Sequence, residues 1–469
     1  MTRFSYGIIF ISNMKRYIFA IFASLSLATL SYAATAPFKA YWNALYRADM
    51  QAGANYVDAD NNAISDFNIE YADVKFDRLS IAETEGGWAS CPSPKMIGPL
   101  TVNSITATVS SEIYFQSKTL TVKNDYVATV AETDSPTFVD NDKKTLRFAV
   151  DTENADFLKV GGDMKLTTSR VFNTKILYRK GGNASMSVAG QLSFDFTGGP
   201  AYGYHTVNIA TGHVDMKGID FNLGGLASSK RPVAFNSSAT TAPTSGTIDL
   251  NFNFKNDENG NFKGGSFEGS FTSSLSNGSV VNFSMAGSGT QSITLLTSAT
   301  AGAKDKNNSN LLASQKDMSV GTVAVSNGNF ILNSELSIAN VNLSGGTLSL
   351  TMGDGATVGN LTATGGSWIF ADTIDVETFT SSGTINVVFT EALEKEFYTL
   401  ITCNGLSVDP ATTFVAVDKN GNQIAGNFDV AYDNGKYLLN FTATVPEASE
   451  IAMLFGLIAL GFVAYRRRK

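Results

Sequence analysis

Three carboxylic acids lie close together in the stretch ADTIDVE: Asp372, Asp375 and Glu377. If Ile374 and Val376 point into a core, Asp375 and Glu377 project from the same outer face of a strand, because successive side chains alternate. A pair of carboxylates can act as general acid and general base on a glycosidic bond. This acidic cluster is therefore the best enzymatic candidate in the chain, and a solvated acidic face is the alternative interpretation.

Histidine offers a weaker candidate. The chain has 2 histidines, His205 and His213, which with Asp215 would supply three metal ligands if a turn brought them together. Two strand or loop histidines are the simpler interpretation. The sequence contains no nucleophile elbow, zinc spacing, phosphate loop or dinucleotide fingerprint. We therefore expect neither enzyme activity nor a cofactor.

One segment begins like a calcium loop. Residues 58–62 (DADNN) alternate oxygen-bearing side chains, which suit a large hard cation. However, Ala63 stands where such a loop needs glycine, and Ile69 stands where it needs a bidentate acid. This segment is therefore better interpreted as an Asx-rich turn, and the similar residues 257–261 and 418–422 are better interpreted as hairpin turns.

The elements that would carry these residues are mainly β-strands. Ile248, Leu250, Phe252 and Phe254 alternate with polar residues, and several other segments repeat this pattern. Such alternation is typical of antiparallel strands with one solvated face. For residues 34–300 we therefore predict an antiparallel β-sandwich-like domain.

A short helix is predicted at the start of this domain. Phe38, Tyr41, Trp42, Leu45 and Tyr46 recur at the spacing of one helical face, and Pro37 suits a first helical turn. The aromatic stripe is interpreted as core.

The sequence changes character after residue 300. Residues 301–319 are polar and are predicted to form a linker. In residues 320–390, glycines at 328, 346, 366 and 383 are spaced 18, 20 and 17 residues apart, each before a short apolar strand. This spacing favours a short parallel β-helix, with an antiparallel meander as the alternative. Residues 391–444 are predicted to form a β cap over the last coil.

The repeats SNGNFIL (326–332), SGGTLSL (344–350), TGGSWIF (364–370) and SSGTINV (381–387) resemble the β-helical stalks of autotransporter-like surface proteins. The motif is short, and the resemblance is confined to this region.

Both ends of the chain predict export. A basic segment precedes an apolar run that ends in Ser31-Tyr32-Ala33, with small residues where a signal peptidase cuts. We predict that residues 1–33 are a signal peptide cleaved after Ala33. At the other end, an apolar run from Ile451 to Tyr465 precedes Arg466, Arg467, Arg468 and Lys469. This pattern predicts a single short transmembrane helix with its cations in the cytoplasm.

The tail, residues 445–469, resembles the PEP-CTERM sorting signal of Gram-negative bacterial surface proteins. Val445, Pro446 and Glu447 match its sorting motif, while Ala448 replaces its second proline. The resemblance implies retention at the inner membrane, recognition by an exosortase-like sorting protease, and delivery to the cell surface or exopolysaccharide matrix. Whether the tail is cleaved stays open because of Ala448.

Charge excludes nucleic acid as a partner, and the cysteine content limits disulfide bonding. The net charge is −8, and residues 34–465 carry 27 basic against 42 acidic side chains. An acidic body does not fit nucleic acid. Cys91 and Cys403 are the only cysteines, so they form one long-range disulfide or stay as two thiols. We expect an exported, membrane-tethered protein with a structural or adhesive role; a carbohydrate-active enzyme or glycan-binding module is the alternative.

Overall fold

The computed structural model describes residues 36–44, 48–77, 94–108, 111–130, 145–150, 155–168, 171–178, 182–197, 204–211, 216–239, 247–275, 279–301, 316–391, 393 and 397–444. Nearly all regular structure in these residues is β-strand, which confirms the mainly β class. Two short 3₁₀ helices lie at Gly53–Asn55 and Ile69–Tyr71.

The strands up to the middle of the chain are β1 (Phe38–Trp42), β2 (Tyr56–Val57), β3 (Ala72–Phe76), β4 (Leu100–Val102), β5 (Ser104–Ala107), β6 (Ser111–Tyr114), β7 (Leu120–Val122), β8 (Tyr126–Val130), β9 (Thr145–Val150), β10 (Ala155–Val160), β11 (Met164–Thr168), β12 (Val171–Tyr178), β13 (Gly182–Phe196), β14 (Tyr204–Thr211), β15 (Met216–Ser229), β16 (Val233–Ala239) and β17 (Asp249–Phe254).

The remaining strands are β18 (Gly265–Ser273), β19 (Val280–Met285), β20 (Thr290–Leu296), β21 (Lys316–Asp317), β22 (Ser319–Val325), β23 (Asn329–Ser334), β24 (Ile338–Leu343), β25 (Thr347–Met352), β26 (Val358–Ala363), β27 (Ser367–Phe370), β28 (Ile374–Ser381), β29 (Thr384–Phe389), β30 (Phe397–Val408), β31 (Thr413–Asp418), β32 (Gly426–Asp433) and β33 (Lys436–Ala443).

The strands form two long sheets with mainly parallel pairing. Sheet A contains the consecutive parallel neighbours β13, β15, β17, β19, β22, β24, β26, β28 and β30. Sheet B contains β9, β12, β14, β16, β18, β20, β23, β25, β27, β29 and β31. The chain passes repeatedly from one sheet to the other, and this arrangement is consistent with a β-helix-like solenoid. Sheet A is mixed, because β2, β32 and β33 pair antiparallel at its ends.

The repeat length varies along the chain. Asn251 stacks on Asp220 at a separation of 31 residues, and Asn360 stacks on Asn340 at a separation of 20 residues. Between β28 and β30 the separation rises again, to 27 residues from Asp375 to Thr402.

The core lies between the two sheets and is built from stacked side chains. Phe221, Phe252 and Phe283 form one column in sheet A, with ring centroids 4.8 and 5.6 Å apart. Phe235 and Phe271 stack at 5.3 Å in sheet B and contact this column edge to face. Parallel in-register strands place like residues above one another, so apolar positions become continuous columns.

The predicted antiparallel sandwich for residues 34–300 is wrong. Strands from β9 to β20 pair in parallel, as in β15–β17 and β17–β19. Alternation in sequence reports only that one face of a strand is buried. Each sheet here has one face on the core and one towards solvent, so its strands show the same alternation as antiparallel strands.

The predicted N-terminal helix is also wrong. Residues 38–42 form β1, which pairs in parallel with β3 and antiparallel with β2. Ala40 and Trp42 are buried on one side of this strand. Phe38 and Trp42 fit the spacing of a helix, and together with Ala40 they also fit the period of two of a strand. The pairing with β3 stabilises the strand. Leu45 and Tyr46 lie outside the described residues.

The glycine-marked repeats of residues 320–390 are confirmed as parallel strands. Gly328, Gly346, Gly366 and Gly383 all have positive φ, between 61 and 86°, and each immediately precedes a strand of sheet B. At Gly346 an added Cβ would lie 2.6 Å from the carbonyl oxygen of Gly328 in the coil below. Glycine is therefore required at this corner both for its conformation and for close stacking.

Both sheets continue on either side of the predicted linker, and the predicted cap region consists of further strands of the same sheets. Most of residues 301–319 lies outside the described residues, but β19 pairs in parallel with β22 and β20 with β23 across this segment. Residues 391–444, predicted to form a β cap, contain the four strands β30 to β33. β30 and β31 complete the last coil, and β33 and β32 then extend sheet A as an antiparallel hairpin.

Candidate functional site

The acidic cluster lies on the outer face of β28. Ile374 and Val376 are buried, while Asp375 and Glu377 are exposed on the opposite side of the strand, as predicted. Asp372 is exposed in the turn before β28. The two strand carboxylates therefore share one face, and the third is set apart from them by the turn.

Asp375 is held by two neighbouring strands. It accepts hydrogen bonds from Lys436 Nζ at 2.7 and 2.8 Å and from Thr402 Oγ1 at 2.6 Å. Partial burial favours the neutral acid, but the hydrogen bonds from Lys436 and Thr402 and the lysine charge outweigh it, so the pKa of Asp375 is lowered. This carboxylate is ionised and clamps β28 to β30 and β33.

The other two acids also have partners. Glu377 accepts a hydrogen bond from Asn404 Nδ2 on β30 at 2.8 Å. Asp372 Oδ1 accepts one from the backbone N–H of Thr373 at 2.7 Å, which closes the turn. A general acid at neutral pH needs a raised pKa, and the environment of Asp375 shifts its pKa in the opposite direction. The geometry supports strand cross-linking better than acid–base chemistry.

A second feature extends over the same outer face. On nine consecutive parallel strands of sheet A, two outward positions per strand carry amide, hydroxyl or very small side chains, with a single charge. We call these residues the polar strip: Ser185, Ser187, Asp220, Asn222, Asn251, Asn253, Asn282, Ser284, Thr322, Ala324, Asn340, Asn342, Asn360, Thr362, Thr378, Thr380, Gly405 and Ser407.

Hydrogen bonds between coils hold the amides of the polar strip in place. Asn282 Nδ2 donates to Asn251 Oδ1 at 2.8 Å, and Asn251 Nδ2 donates to Asp220 Oδ1 at 2.8 Å. Asn360 donates to Asn340 at 3.0 Å in the same way. A side-chain amide has two donor hydrogens and an acceptor oxygen with two lone pairs, so one ladder bond uses only part of its hydrogen-bonding capacity.

The polar strip presents a long and regular array of neutral donors and acceptors. At roughly 4.8 Å between strands, nine strands extend over about 38 Å. Such an array suits a hydroxyl-rich, uncharged polymer. Sequence analysis missed the strip because each strand contributes only two polar residues; aligning the strands on their buried residues is the signal that could have revealed it.

The three Asx-rich segments form the same turn. Asp58, Asp257 and Asp418 each accept backbone hydrogen bonds from the second and fourth residues that follow, at 2.7 to 2.9 Å. The second carboxylate oxygen accepts from the asparagine amide that closes the turn. These hydrogen bonds lower the pKa of all three acids. The interpretation of residues 58–62 as an Asx-rich turn is confirmed, whereas residues 257–261 and 418–422 form this turn between strands of different sheets and not within a hairpin.

Metal ligands are not gathered in the described part of the chain. No group of three or more histidine, cysteine or acidic side chains there could hold a metal ion. His205 lies in β14, whereas His213 and Asp215 lie outside the described residues. Cys403 is a buried free thiol whose pKa is raised by burial and by the nearby Asp375 charge; Cys91 lies outside the described residues.

The predicted export signals lie outside the described residues. This applies to the signal peptide with Ser31 and Ala33, to the sorting motif Val445–Glu447, and to the run from Ile451 to Arg468.

Among the residues that the structure describes, no helix has the length and apolar character needed to cross a membrane.

Comparison of the chain with protein-family models, with curated proteins and with solved structures gives no match.

Proposed function

We propose that this protein is an exported, membrane-tethered surface or extracellular-matrix protein with a structural and adhesive role. The signal peptide in residues 1–33 directs export, and the tail in residues 445–469 holds the chain at the inner membrane and acts as its sorting signal. The observation that carries the proposal is the long body of parallel strands, whose outer face on sheet A carries the polar strip. Its partners are the inner membrane, an exosortase-like sorting protease and extracellular polysaccharide.

The topology is tested by fractionating cells that express variants of the full chain. Deleting residues 445–469 is expected to move the protein from the inner membrane to the soluble fraction, because the apolar run and its cations are lost. Replacing Arg466, Arg467, Arg468 and Lys469 with serine is expected to weaken retention. Circular dichroism of the truncated form should match that of the full chain. If the truncated form stays with the membrane as fully as the full chain, the tail is not the anchor.

Glycan binding is the second candidate, and the polar strip favours it. A neutral polysaccharide offers hydroxyl groups that can both donate to and accept from side-chain amides. The ladder bonds hold the amides in one conformation, so less conformational entropy is lost when a ligand binds. The acidic cluster flanks the strip at one end and would tolerate an uncharged chain.

Pull-down with insoluble neutral polysaccharides tests this candidate. Replacing Asn342 and Asn360 together with alanine should weaken binding, because both side chains are exposed on the strip. A matched double replacement of Asn333 and Asn427, exposed asparagines outside the strip, should leave binding unchanged. Equal loss from both double variants would refute binding through the strip.

The same insoluble polysaccharides distinguish an enzymatic role of the acidic cluster from a structural one. Release of reducing sugar that disappears in Asp375→Asn would overturn the structural role proposed here. The lowered pKa of Asp375 and its three hydrogen bonds lead us to expect no such release.

A further inference from the structure

At the C-terminal hairpin, no strand among the described residues covers part of the inner face of sheet A. Sheet B ends at β31, whereas sheet A continues through β33 and β32. Phe428 and Phe441 on the inner face of this hairpin pack at 4.9 Å and join the core through Phe389 and Phe414. The half of the hairpin nearer its turn extends beyond this contact.

Apolar side chains are exposed on that half. Val430 is 47 % exposed, Tyr432 66 % and Tyr437 36 %, and they lie on the same face as Phe428 because they are in register with it. The rings of Tyr432 and Tyr437 are 4.9 Å apart. Among the described residues only Ile97 and Phe397 are other large apolar side chains with comparable exposure. The apolar face of the core therefore reaches the surface here.

The same hairpin also presents an open strand edge. Within the described residues β32 pairs with β33 along one side and with no strand along the other. An unpaired edge carries free N–H and C=O groups that can pair with another strand. β32 contains neither proline nor lysine, which commonly block such edges, and its only charged residues are Asp429 and Asp433.

We propose that β32 pairs antiparallel with β32 of a second copy of this chain, about a twofold axis at Val430. In this register Val430 lies opposite Val430 of the second copy, and Phe428 lies opposite Tyr432, so the exposed apolar faces of both hairpins form one surface. This contact is independent of membrane attachment and glycan binding, and it goes beyond the proposed function.

The apolar pattern of β32 is what fits a second copy as the partner, because Phe428 and Tyr432 lie symmetrically on either side of Val430. With Val430 on the axis, Asp429 lies directly opposite Ala431, and Asp433 lies directly opposite Asn427. Asp429 is diagonal to Asp429 and Asp433 of the second copy, on the outer face, where solvent and salt screen their repulsion. A twofold contact of this kind is self-complementary and closed, which yields a dimer and not a fibre. The bodies extend away from each other, and both chains reach Thr444 at the end of β33, beside the joint.

Disulfide trapping tests the register directly. In detergent-solubilised full chain, mild oxidation of the Val430→Cys variant should give a covalent dimer on a non-reducing gel, because the two residues face each other across the axis. Ile97→Cys is the matched control, since Ile97 is 57 % exposed in a different part of the molecule. If Val430→Cys cross-links no faster than Ile97→Cys, the proposed register is wrong.

Sedimentation of the uncross-linked proteins tests the contact independently. The parent chain should be dimeric, and Val430→Lys should raise its dissociation constant by at least about tenfold, because two cations would meet at the axis. Ile97→Lys should have no effect. A parent chain that is monomeric throughout, or a dimer that is insensitive to Val430→Lys, would overturn the proposal. Unfolding midpoints equal to that of the parent would show that the variants are folded.

Discussion

Gly260 and Gly421 occupy the same position in two of the three Asx-rich turns. Their φ angles are 81 and 83°, and no atom lies within 4 Å of a Cβ built on either residue. In the third turn the same position is Asn61, with a φ of 68°. Backbone conformation, and not space, therefore selects the residue at this position.

This equivalence predicts the outcome of substitution at Gly260. Gly260→Ala is expected to lower the free energy of unfolding by about 1 kcal/mol, since alanine disfavours the left-handed conformation. Gly260→Asn should cost less, because asparagine already adopts this conformation at Asn61. Urea denaturation of both variants measures the difference. Equal costs would mean that the turn does not impose this conformation on its residue.

The pKa of the Asp375 carboxyl makes the free energy of unfolding depend on pH. Its folded-state pKa is lowered, so its stabilising contribution is present above the unfolded-state pKa and is lost as the pH falls through the folded-state pKa. Asp375→Asn should reduce the free energy of unfolding by about 0.2–1 kcal/mol at neutral pH, as is usual for an exposed ion pair. In acid the variant and parent should converge.

Urea denaturation at neutral and acidic pH checks this expectation. Asp354→Asn is the control, because Asp354 is exposed and has no ion-pair partner among the described residues. A deficit of Asp375→Asn that persists unchanged in acid would show that the ion pair with Lys436 is not its cause.

At the scale of single elements, a buried glutamine replaces a missing strand contact. Gln291 on β20 is fully buried; its Oε1 accepts from Leu226 N–H at 3.0 Å, and its Nε2 donates to Leu226 C=O at 2.8 Å. The side-chain amide thus pairs with the backbone of β15 as a neighbouring peptide would. Gln291 therefore satisfies both backbone groups of Leu226.

Removing this amide should be costly. Gln291→Met keeps the length of the side chain but leaves the N–H and C=O of Leu226 unpaired, so a loss of about 2–4 kcal/mol is expected. Gln191→Met is the control, because Gln191 is half-buried and its Nε2 donates only to Gly264 C=O. Thermal unfolding of both variants measures the difference. Similar costs would mean that water replaces the amide at Leu226.

The strands of the second half of the molecule share an irregularity that a period of two cannot predict. In the pairing of β19 with β22 the register shifts between Val281 and Phe283, because β22 has one additional residue between Val320 and Val323. Later strands keep it: Val341 follows Ile338 on the buried face after two outward residues, and Phe379 follows Val376 in the same way. The bulge is stacked from coil to coil, so pairing between coils maintains it.

For the whole molecule, the mainly β class and the parallel pairing of residues 320–390 were predictable, whereas the strand at residues 38–42 and the parallel pairing before residue 300 were not. The spaced glycines indicated repeated corners, and the structure places Gly328 and Gly346 at equivalent corners with positive φ. The outward direction of Asp375 and Glu377 also followed from the neighbouring apolar residues. Parallel pairing in residues 34–300 depends on contacts between residues about 31 positions apart, which alternation within one strand does not report.

Strand pairing across residues 301–319 determines whether the two halves of the molecule are separate domains. Phe283 and Ile293 are buried before this segment, and Val323 and Phe330 are buried after it. The ring centroids of Phe283 and Phe330 are 6.2 Å apart. Strand pairing joins these two sets in both sheets. Separating the halves would expose apolar side chains worth on the order of 1 kcal/mol or more each.

We therefore predict that cutting the chain in this segment leaves one folded body. A specific protease site that replaces residues 305–311 allows the cut, and the uncut variant is the control. After cleavage the two fragments should coelute in size-exclusion chromatography without denaturant and unfold in a single transition, because neighbouring coils stabilise one another across the cut as they do elsewhere in a solenoid. Two fragments that separate and stay folded would instead establish a domain boundary at the predicted linker and show that the β19–β22 and β20–β23 ladders contribute little to stability.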